Sequence, residues 1–560
     1  MTMKLKYILP TAALLCGVVF TSCVKDLEVE NINPQQVSEF NEDYIFNKIY
    51  GNMVLTGQTG PNGSNDLDDI DEGTSNMIRQ LWNANELTTD EAHCIWNDPG
   101  LPEFNHNSWS NTHPMMKALY YRLIFGVTLC NFYLDNAKDQ DAATKQKRAE
   151  ARFMRALHYY YLMDLYANPP FLTTVSNEAA QQIQRADLFN FLESELKDII
   201  GEGANDEILA DAKTVQYGRA DKAAGYLLLA RMYLNSKVYT NKERWTEAQT
   251  YADKTIASGY SLCTTPSPNG FSAYQLLFMG DNNENGAENE IILPALHDGD
   301  KTQTWGGSLY LIAAMGNDKV STADLFGLQT ADGKAITGYG TSEAWGGIRC
   351  RKQFVQKFFA GATTDAAVPQ GTLKDCVKAA GDDRALFYTK GHTLSITDET
   401  NYEKGFAYIK FNNIHSDGSA GHHAKGQYVD TDFPMLRLAE AYLISAEADA
   451  RQHGGTCTSV GNQRIKDLHT RANIKPSNPL YSKTTFTLDD IINEWAREFG
   501  FEGQRRMHLI RFGLYGGQSN YTWEWMGGSK NGTPFNARFN IYPIPDSELN
   551  ANPNMKPNYK

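Results

Sequence analysis

Two neighbouring segments, "RADKAAGYLLLARMYLN" (Arg219–Asn235) and "RWTEAQTYADKTIASGYSL" (Arg244–Leu262), decide how this chain folds. Each segment repeats its apolar residues at helical spacing, and small residues alternate with large ones along the stripe. Small residues let two helices approach closely, so we expect the two stripes to face each other. The facing positions are Ala224, Leu228 and Met232 on the first helix and Ala248, Ala252 and Ile256 on the second. This spacing predicts a helical hairpin of the tetratricopeptide type.

Three more segments carry a helical pattern and extend this architecture. They are Lys147–Tyr166, Pro434–Arg451 and Leu488–Gly513. The first is ended by the pair Pro169-Pro170, because proline cannot continue a helix. The last contains Gly500 and Gly503, and we expect the helix to break near one of them.

Two long stretches, residues 55–115 and 265–430, have few periodic segments and are rich in Gly, Asn, Asp and Ser. Loops of this length inside a compact protein are often functional. We therefore predict a mainly α fold with a helical scaffold over about 116–264 and 431–514, joined by the N- and C-terminal segments. A large, irregular, loop-rich region carries the ligand site, and residues 23–560 form a single domain.

The N-terminus predicts export and a lipid anchor. Two lysines precede an apolar run from Ile8 to Phe20, which is too short to cross a bilayer as a helix. This run indicates a secretory signal over residues 1–22. Ser22, a small residue, directly precedes Cys23, as in a bacterial lipoprotein cleavage site. Cys23 is then expected to carry acyl chains such as palmitate; the alternative is an ordinary signal peptide with a chance cysteine.

The charge and the motifs exclude some classes of function. The formal net charge of -14 argues against a nucleic-acid partner, which requires a basic surface. No nucleotide-binding, zinc-protease or serine-hydrolase motif is present. Asp90 and Glu91 lie near the candidate site, so a glycosidase pair stays open. In "EWAREFGFEGQRR", Arg497, Glu502 and Arg506 indicate a buried ion-pair network that holds the scaffold.

Two tryptophans are each followed by two glycines. They are Trp305 in "KTQTWGGSLYL" and Trp345 in "SEAWGGIRC". An indole in such a loop can serve as a platform for a ligand with a flat apolar face. We expect Gly306 and Gly307 to let the backbone and the ligand approach each other beside the ring of Trp305.

Two acidic segments, "MGDNNENGAENEIILP" and "YVDTDFPML", carry clustered oxygen ligands. The candidate ligands are Asp281, Asn283, Glu290, Asp430 and Asp432. Carboxylate and amide oxygens suit a hard cation, so a structural Ca²⁺ is predicted here. The alternative is a solvated acidic loop.

The chain resembles the SusD/RagB family of outer-membrane glycan-binding lipoproteins from Bacteroidetes-type bacteria. The segments that carry the resemblance span the chain: "AEARFMRALHYYYLMDLYANPPF", "GRADKAAGYLLLARMYLN", "DFPMLRLAEAYLISAEA", "EWAREFGFEGQRRMHLIRFG" and "YPIPDSELNANPNM", with Cys23 after the signal. The resemblance implies tetratricopeptide-like helix pairs that support a loop-rich region. It also implies docking on a SusC-like TonB-dependent transporter.

The resemblance is strongest to starch-binding members of this family. The segments "TGQTGPNGSNDLDDIDEG", "NELTTDEAHCIW", "KTQTWGGSLYL", "KAAGDDRALFYT" and "YTWEWMGGSKNGT" carry it. It implies an aromatic arc that cups the curve of an α-glucan, formed by Trp96, Trp305 and Trp345. It further implies hydrogen-bonding partners at Asp71, Arg79 and Asn97, although the shorter segment here leaves Asp98 as the alternative to Asn97. A structural calcium is implied as well.

The predicted function is non-catalytic binding of starch and malto-oligosaccharides at the outer face of the outer membrane, with delivery to the transporter. Other surface glycan-binding lipoproteins and an amylase are further expected partners. Two rival functions stay open. One is a glycoside hydrolase that acts on α-glucan, and the other is a helical-repeat scaffold that binds only other outer-membrane proteins.

Overall fold

The computed structural model describes residues 40–317, 338–419 and 426–558. The predicted signal (1–22) and Cys23 lie outside these ranges. Within them the chain is mainly helical, as predicted. The helices are α1 Glu42–Gly51, α2 Met77–Trp82, α3 Leu101–His106, α4 Pro114–Asn136, α5 Ala142–Tyr166, α6 Arg185–Lys197, α7 Lys222–Leu234, α8 Ser236–Thr240, α9 Trp245–Ile256, α10 Ala273–Leu276, α11 Gly307–Met315, α12 Lys352–Val355, α13 Leu373–Ala380, α14 Leu438–Gln452, α15 Ser459–Arg471, α16 Leu488–Phe499, α17 Arg505–Arg511 and α18 Asp546–Ala551.

Short strands pair into two-stranded antiparallel sheets. The strands are β1 Ala92–Cys94, β2 Pro170–Phe171, β3 Gln181–Gln182, β4 Ile291–Ala295, β5 Ile348–Cys350, β6 Phe387–Tyr388, β7 Ala407–Tyr408 and β8 Phe433–Arg437. The pairs are β1 with β5, β2 with β3, β4 with β8 and β6 with β7. Most of them lie in the loop-rich stretches, where they fix loops rather than build a sheet core.

The predicted hairpin is present as α7 packed on α9. Asp221 caps α7 by accepting hydrogen bonds from the backbone N–H groups of Ala223 and Ala224. Ala224, Ala248 and Ala252 are fully buried at the contact, which lets the two helices pack closely. Helix α14 packs on α9, also contacts α7, and is itself covered by α15, so the helix pairs stack into a continuous scaffold.

Helices α4 and α5 form the longest pair of the scaffold. Gly126 of α4 lies against the imidazole of His158 on α5, where a methyl group would come within 2.2 Å of Nε2. A larger residue at this position would therefore separate the two helices. Helix α5 ends at Tyr166, shortly before Pro169 and Pro170, as the sequence predicted.

One predicted helix begins later than expected. The pattern over Pro434–Arg451 predicted a continuous helix, but Phe433–Arg437 is strand β8 and α14 starts at Leu438. A short buried apolar strand cannot be distinguished from a helix start by periodicity alone. The predicted break near Gly500 or Gly503 is confirmed, because α16 ends at Phe499 and α17 begins at Arg505.

In their described parts, the predicted loop-rich stretches contain only short elements. The longest helix among the described residues of 265–430 is α11, with nine residues. Within the described ranges, no helix has both the length and the apolar composition needed to span a membrane. The six cysteines in these ranges are buried and free, which agrees with the scattered spacing of cysteines in the sequence.

Candidate functional site

The indoles of Trp96, Trp345 and Trp305 lie side by side on the loop-rich face. The ring centroids of Trp96 and Trp345 are 6.3 Å apart with an interplanar angle of 51°. Those of Trp345 and Trp305 are 6.2 Å apart at 50°. All three side chains are partly exposed. The rings therefore form a row with Trp345 in the middle, and each plane is turned relative to the next.

Two aromatic side chains that the sequence analysis missed support this row. Tyr428 lies 5.2 Å from Trp305, and Tyr310 lies 6.2 Å from Trp96, measured between ring centroids. Both tyrosines are buried, so they form a base behind the more exposed indoles. Nothing in their local sequence distinguishes them from core tyrosines.

Helix α11 holds two of the three tryptophans at its ends. Trp305 lies two residues before the helix begins at Gly307. At the other end, the backbone N–H of Trp345 donates to the carbonyl of Ala313 at 2.7 Å, and the N–H of Gly347 donates to Ala314 at 2.7 Å. These bonds satisfy carbonyl groups that a helix terminus otherwise leaves unpaired. One short helix thus sets the separation of the two Trp-Gly-Gly segments.

The third tryptophan joins the row through the β1–β5 ladder. Cys94 pairs with Ile348, and the ladder continues as the N–H of Ile95 donates to the carbonyl of Gly347 at 2.8 Å. The indole of Trp96 then lies directly on Gly347, where a methyl group would come within 2.2 Å of Cε2. The glycine at this position is therefore required for Trp96 and Trp345 to be neighbours.

The predicted role of Gly306 and Gly307 is wrong. A methyl group at Gly306 would lie 2.1 Å from Cγ of Asn76, and one at Gly307 would lie 2.2 Å from Nε2 of His297. Gly307 also has a left-handed φ of 57°, which favours glycine. The two glycines serve internal packing at the start of α11 rather than an approach of ligand to backbone.

Asn76 connects the start of α11 with the segment that carries Asp71 and Arg79. Its Oδ1 accepts from the backbone N–H of Arg79 at 2.9 Å, as the cap of α2, and from that of Gly307 at 3.1 Å. Its Nδ2 donates to the carbonyl of Val54 at 2.6 Å. Because Asn76 is fully buried, these bonds fix two loops of the site relative to each other.

Asp71, Arg79 and Trp305 converge around Gly73. A methyl group at Gly73 would lie 3.1 Å from Nη1 of Arg79, 3.8 Å from Cβ of Trp305 and 4.0 Å from Oδ2 of Asp71. The guanidinium of Arg79 stacks on the ring of Tyr310 at 4.6 Å. The structure therefore brings both predicted polar residues to the end of the aromatic row.

The carboxylate of Asp71 is held in its ionised form. Partial burial works to raise its pKa, but the hydrogen bonds from Thr74 and the positive charge of Arg79 outweigh this effect. The pKa of Asp71 therefore lies below the ordinary value. An exposed, ionised carboxylate can accept hydrogen bonds from a pair of hydroxyl groups.

Asn97 and Asp98 directly follow Trp96 and are both exposed to solvent. Either side chain is free to reach a molecule that lies on the Trp96 ring. The choice between them, left open by the sequence, stays a prediction.

A surface depression of about 820 Å³ adjoins Trp305. It is lined by Pro61, Asn62, Gly63, Ser64, Asn65, Leu67, Asp68, Asp69, Ile70, Asp71, Glu72, Gly73, Arg79 and Trp305. Most of the lining belongs to one loop, residues 61–73, which is part of the segment "TGQTGPNGSNDLDDIDEG" that carries the resemblance and which contains the predicted site residue Asp71. The depression extends the polar end of the aromatic row.

The carboxylates of Asp90 and Glu91 do not face this depression. Their relative exposures are 0% and 1%. Both oxygens of Asp90 accept from Arg505, at 2.7 and 2.9 Å, and Glu91 accepts from the backbone N–H of Phe501 at 3.0 Å. The predicted ion-pair network is confirmed nearby, with Arg497 on Glu494, Glu502 on Arg437 and Arg506 on Asp164.

The predicted calcium ligands fit a cation only in part. Glu290 does not fit, because both of its oxygens accept from Arg471 at 3.0 and 3.1 Å in the buried network. Asp281 accepts from Ser416 at 2.9 and 2.6 Å. Oδ2 of Asp430 lies 3.6 Å from Nε2 of His415.

Asp432 is buried, and its Oδ1 accepts from the backbone N–H of His297 at 2.7 Å. Burial raises the pKa of this carboxyl to about 7, although hydrogen bonds from His297 and Tyr217 oppose the shift. Asn283 is exposed. No group of three His, Cys, Asp or Glu side chains within the described ranges gathers as a metal site. A calcium ion at these residues stays a prediction.

Known proteins match this chain over its whole length. The sequence profile of the SusD family matches residues 316–560, and the profile described as "Starch-binding associating with outer membrane" matches residues 26–234. The chain is 39% identical, over 99% of its length and 99% of the relative, to the starch-binding protein SusD of Bacteroides thetaiotaomicron. The chain belongs to the SusD family.

Two further matches are more distant in sequence. A SusD-like protein of Bacteroides ovatus is 23% identical over 80% of this chain and 71% of its own length. Among solved structures, surface glycan-binding protein A of Bacteroides thetaiotaomicron, in complex with laminarihexaose, has a TM-score of 0.63 and 16% identity, and the match covers 92% of this chain and 98% of that one. This likeness shows that the fold is the one found in SusD-like proteins.

Proposed function

We propose that this protein binds starch and malto-oligosaccharides through the three indoles, without catalysis. The observation that carries the proposal is the turn of about 50° between each ring plane and the next. A coiled α-glucan presents apolar C–H faces that turn from one glucose residue to the next, whereas a flat β-1,4-glucan ribbon does not. Stacking of these faces on indoles gains dispersion and hydrophobic contact.

The polar groups at the end of the row complement the hydroxyl edge of the sugar. A buried hydroxyl without a partner costs about 1–3 kcal/mol, so donors and acceptors must lie beside the rings. Arg79 can donate to two vicinal oxygens, and the ionised Asp71 can accept from two hydroxyls. Asn97 or Asp98 would supply the same chemistry beside Trp96.

The relatives support the ligand class and the location. The 39% identical relative is named a starch-binding protein, and one matching profile is described as associating with the outer membrane. We place the protein at the exterior face of the outer membrane, anchored by lipid at Cys23. It would pass glucans to a SusC-like TonB-dependent transporter, with other glycan-binding lipoproteins and an amylase as neighbours.

The burial of Asp90 and Glu91 favours binding over hydrolysis, because neither carboxylate reaches the surface where the indoles lie. The partly exposed indoles favour a glycan-binding protein over a scaffold that binds only other proteins. A reducing-sugar assay on starch separates the first rival: release of new ends by the purified protein would contradict the proposal.

Calorimetry with maltoheptaose tests the binding site. The triple variant Trp96→Ala, Trp305→Ala, Trp345→Ala is expected to lose measurable binding while it stays folded. Tyr481→Ala, which removes an exposed ring elsewhere, is the control and should bind as the wild type does. Undiminished binding by the triple variant would refute the site, and laminarihexaose and cellohexaose measure the preference for α-glucan.

A pull-down from outer-membrane extracts tests delivery. The full-length protein is expected to retain a TonB-dependent transporter, and labelling with a palmitate analogue should depend on Cys23. Loss of labelling in Cys23→Ser, with release of the protein from the membrane fraction, is the expected result.

A further inference from the structure

Two of the three indoles have their N–H groups fixed by acceptors at the rim of the site. Nε1 of Trp305 donates to Oδ1 of Asn62 at 2.9 Å. Nε1 of Trp345 donates to Oε2 of Glu343 at 2.7 Å. A single N–H on one edge of an indole has one direction, so each bond restricts rotation of the ring about its side-chain axis.

We propose that Asn62 and Glu343 are positioning residues that hold the ring planes of Trp305 and Trp345 and thereby set the ligand curvature that the row accepts. This inference rests on the proposed function. Neither residue needs to touch the sugar, because each acts through the indole to which it is bonded. Specificity for a coiled glucan would then depend on two polar side chains outside the aromatic row.

The loop that carries Asn62 is anchored to the scaffold from below. The guanidinium of Arg122, buried in α4, donates to Asn65 at 3.2 Å, to Asp66 at 3.1 Å and to the carbonyl of Thr56 at 3.2 Å. Lys48 adds an ion pair with Asp66 at 2.8 Å. The backbone under Asn62 is therefore fixed, although Asn62 itself is exposed.

The segment that carries Glu343 is fixed in a different way. Its backbone N–H donates to the hydroxyl of Thr341 at 3.2 Å, and that hydroxyl donates to the carbonyl of Gln427 at 2.8 Å. The N–H of Ser342 donates to the carbonyl of Gly426 at 2.5 Å. Glu343 thus lies on a loop that is bonded to the segment leading to Tyr428, which contacts the ring of Trp305.

The two acceptors differ in charge, and this has a chemical consequence. A hydrogen bond from the indole N–H to a carboxylate is charge-assisted and stronger than a bond to an amide oxygen. It also shifts electron density into the ring and strengthens the negative face that attracts the polarised C–H groups of a sugar. Glu343 therefore acts on both the orientation and the stacking strength of Trp345, whereas Asn62 acts on orientation alone.

Exciton-coupled circular dichroism of the tryptophans tests the ring planes without any ligand. Asn62→Ala and Glu343→Ala are expected to change the couplet that arises from indoles about 6 Å apart. Asn62→Asp and Glu343→Gln keep a hydrogen-bond acceptor and should therefore show the wild-type couplet. Asn493→Ala, at a partly exposed position in α16, is the matched control. An unchanged couplet in both alanine variants would overturn the inference.

Calorimetry tests the consequence for specificity. The alanine variants should lose about three- to tenfold in affinity for β-cyclodextrin, whose curvature is fixed, and less for flexible maltoheptaose. Glu343→Gln should keep the wild-type ratio of the affinities for β-cyclodextrin and maltoheptaose, but both affinities should be lower than those of the wild type. An unchanged ratio in both alanine variants would contradict the role in curvature. If the wild type binds no α-glucan, the proposed function fails, and the dichroism alone decides whether the two residues hold the rings.

Discussion

The helical scaffold keeps charged side chains in its interior, whereas the loop-rich face leaves aromatic rings partly open to solvent. Arg437 and Glu498 are fully buried between α14 and α16, while Trp96, Trp305 and Trp345 are only partly buried. Arg437 pairs with Glu498 and Glu502, and Glu498 pairs with Arg471 as well, so these buried charges are satisfied within the protein. The indoles of the second region each retain a free surface. A simple burial rule places aromatic side chains in the core and charged side chains at the surface. Here, buried charged side chains hold the scaffold together, and partly exposed indoles form the candidate binding site.

The buried charges form one connected network. Arg437 donates to Glu290 at 3.1 Å, to Glu498 at 2.7 Å and to Glu502 at 2.7 Å. Burial works to raise the pKa of Glu498, but the surrounding arginines, with Arg471 the strongest, lower it to about 2. The carboxylate therefore stays ionised across the physiological pH range, and the network depends on complete pairing.

Removal of one network cation should give the largest effect on stability. Arg437→Met leaves three buried carboxylates without their shared partner and should lower the free energy of unfolding by about 3–5 kcal/mol. Chemical denaturation measures this, and the affinity of the remaining folded protein for maltoheptaose should not change. Lys237→Met, which breaks an exposed pair with Glu243, is the control and should cost below about 1 kcal/mol. Equal effects of the two variants would contradict the role of the network.

Removal of the central ring should weaken ligand binding and leave the stability of the fold nearly unchanged. Trp345→Ala takes away the indole that neighbours both others and should weaken maltoheptaose binding by about 2 kcal/mol, or about 30-fold. Thermal denaturation should show little change, since the side chain is partly exposed. A large fall in Tm with unchanged affinity would place Trp345 in the structural region instead of the binding region.

Glu86 and Glu91 form a third case, in which burial raises the pKa of two carboxyl groups. Burial raises the pKa of Glu91 to about 7, although Arg505 opposes this, and it raises that of Glu86 as well. A raised folded pKa means that the stabilisation is present below the ordinary carboxyl pKa and is lost as the pH rises through about 7. The free energy of unfolding should therefore fall between pH 5 and 8, by on the order of 1 kcal/mol from this pair.

Glu91→Gln tests this pH dependence. The variant cannot lose a proton at this position, so its unfolding free energy should vary less with pH than that of the wild type. Glu243→Gln, at a carboxylate on the surface, is the control. The same pH slope in Glu91→Gln and the wild type would contradict the assignment.

Loss of the charge on Asp71 should give the smallest effect. Asp71→Asn keeps one acceptor and should weaken maltoheptaose binding about threefold. Because the pKa of Asp71 lies below its ordinary value, the wild-type affinity should stay constant as the pH falls from 8 to 5. Calorimetry at both pH values checks this, and a loss of wild-type affinity within that range would show that the carboxylate titrates during binding.

The sequence was most reliable where the signal is local. The α7–α9 hairpin, the end of α5 before its two prolines and the break after Phe499 were all predicted, because periodicity and helix breakers act within a few residues. The start of α14 was predicted too early, since the strand residues Phe433–Arg437 are as apolar as a helix start. The resemblance to the SusD/RagB family supplied the site residues that periodicity could not.

The role of Gly306 and Gly307 shows the limit of this reasoning. A glycine beside a tryptophan fits two explanations, an open surface for a ligand or a close internal contact. Only the positions of Asn76 and His297 decide between them. For Gly347 the contact is internal as well, but there it brings Trp96 against the backbone and so creates the row.

The sequence by itself determined that this protein is a helical scaffold with a loop-rich face and that Trp96, Trp305 and Trp345 are the candidate rings. The tertiary structure alone decided that these rings adjoin, at what angles, and that Tyr428, Tyr310 and Asn62 contact them. The physical reason is the distance along the chain. The bond between Asn62 and Trp305 joins residues 243 positions apart, and no local pattern records a contact that exists only after the scaffold has brought two loops together.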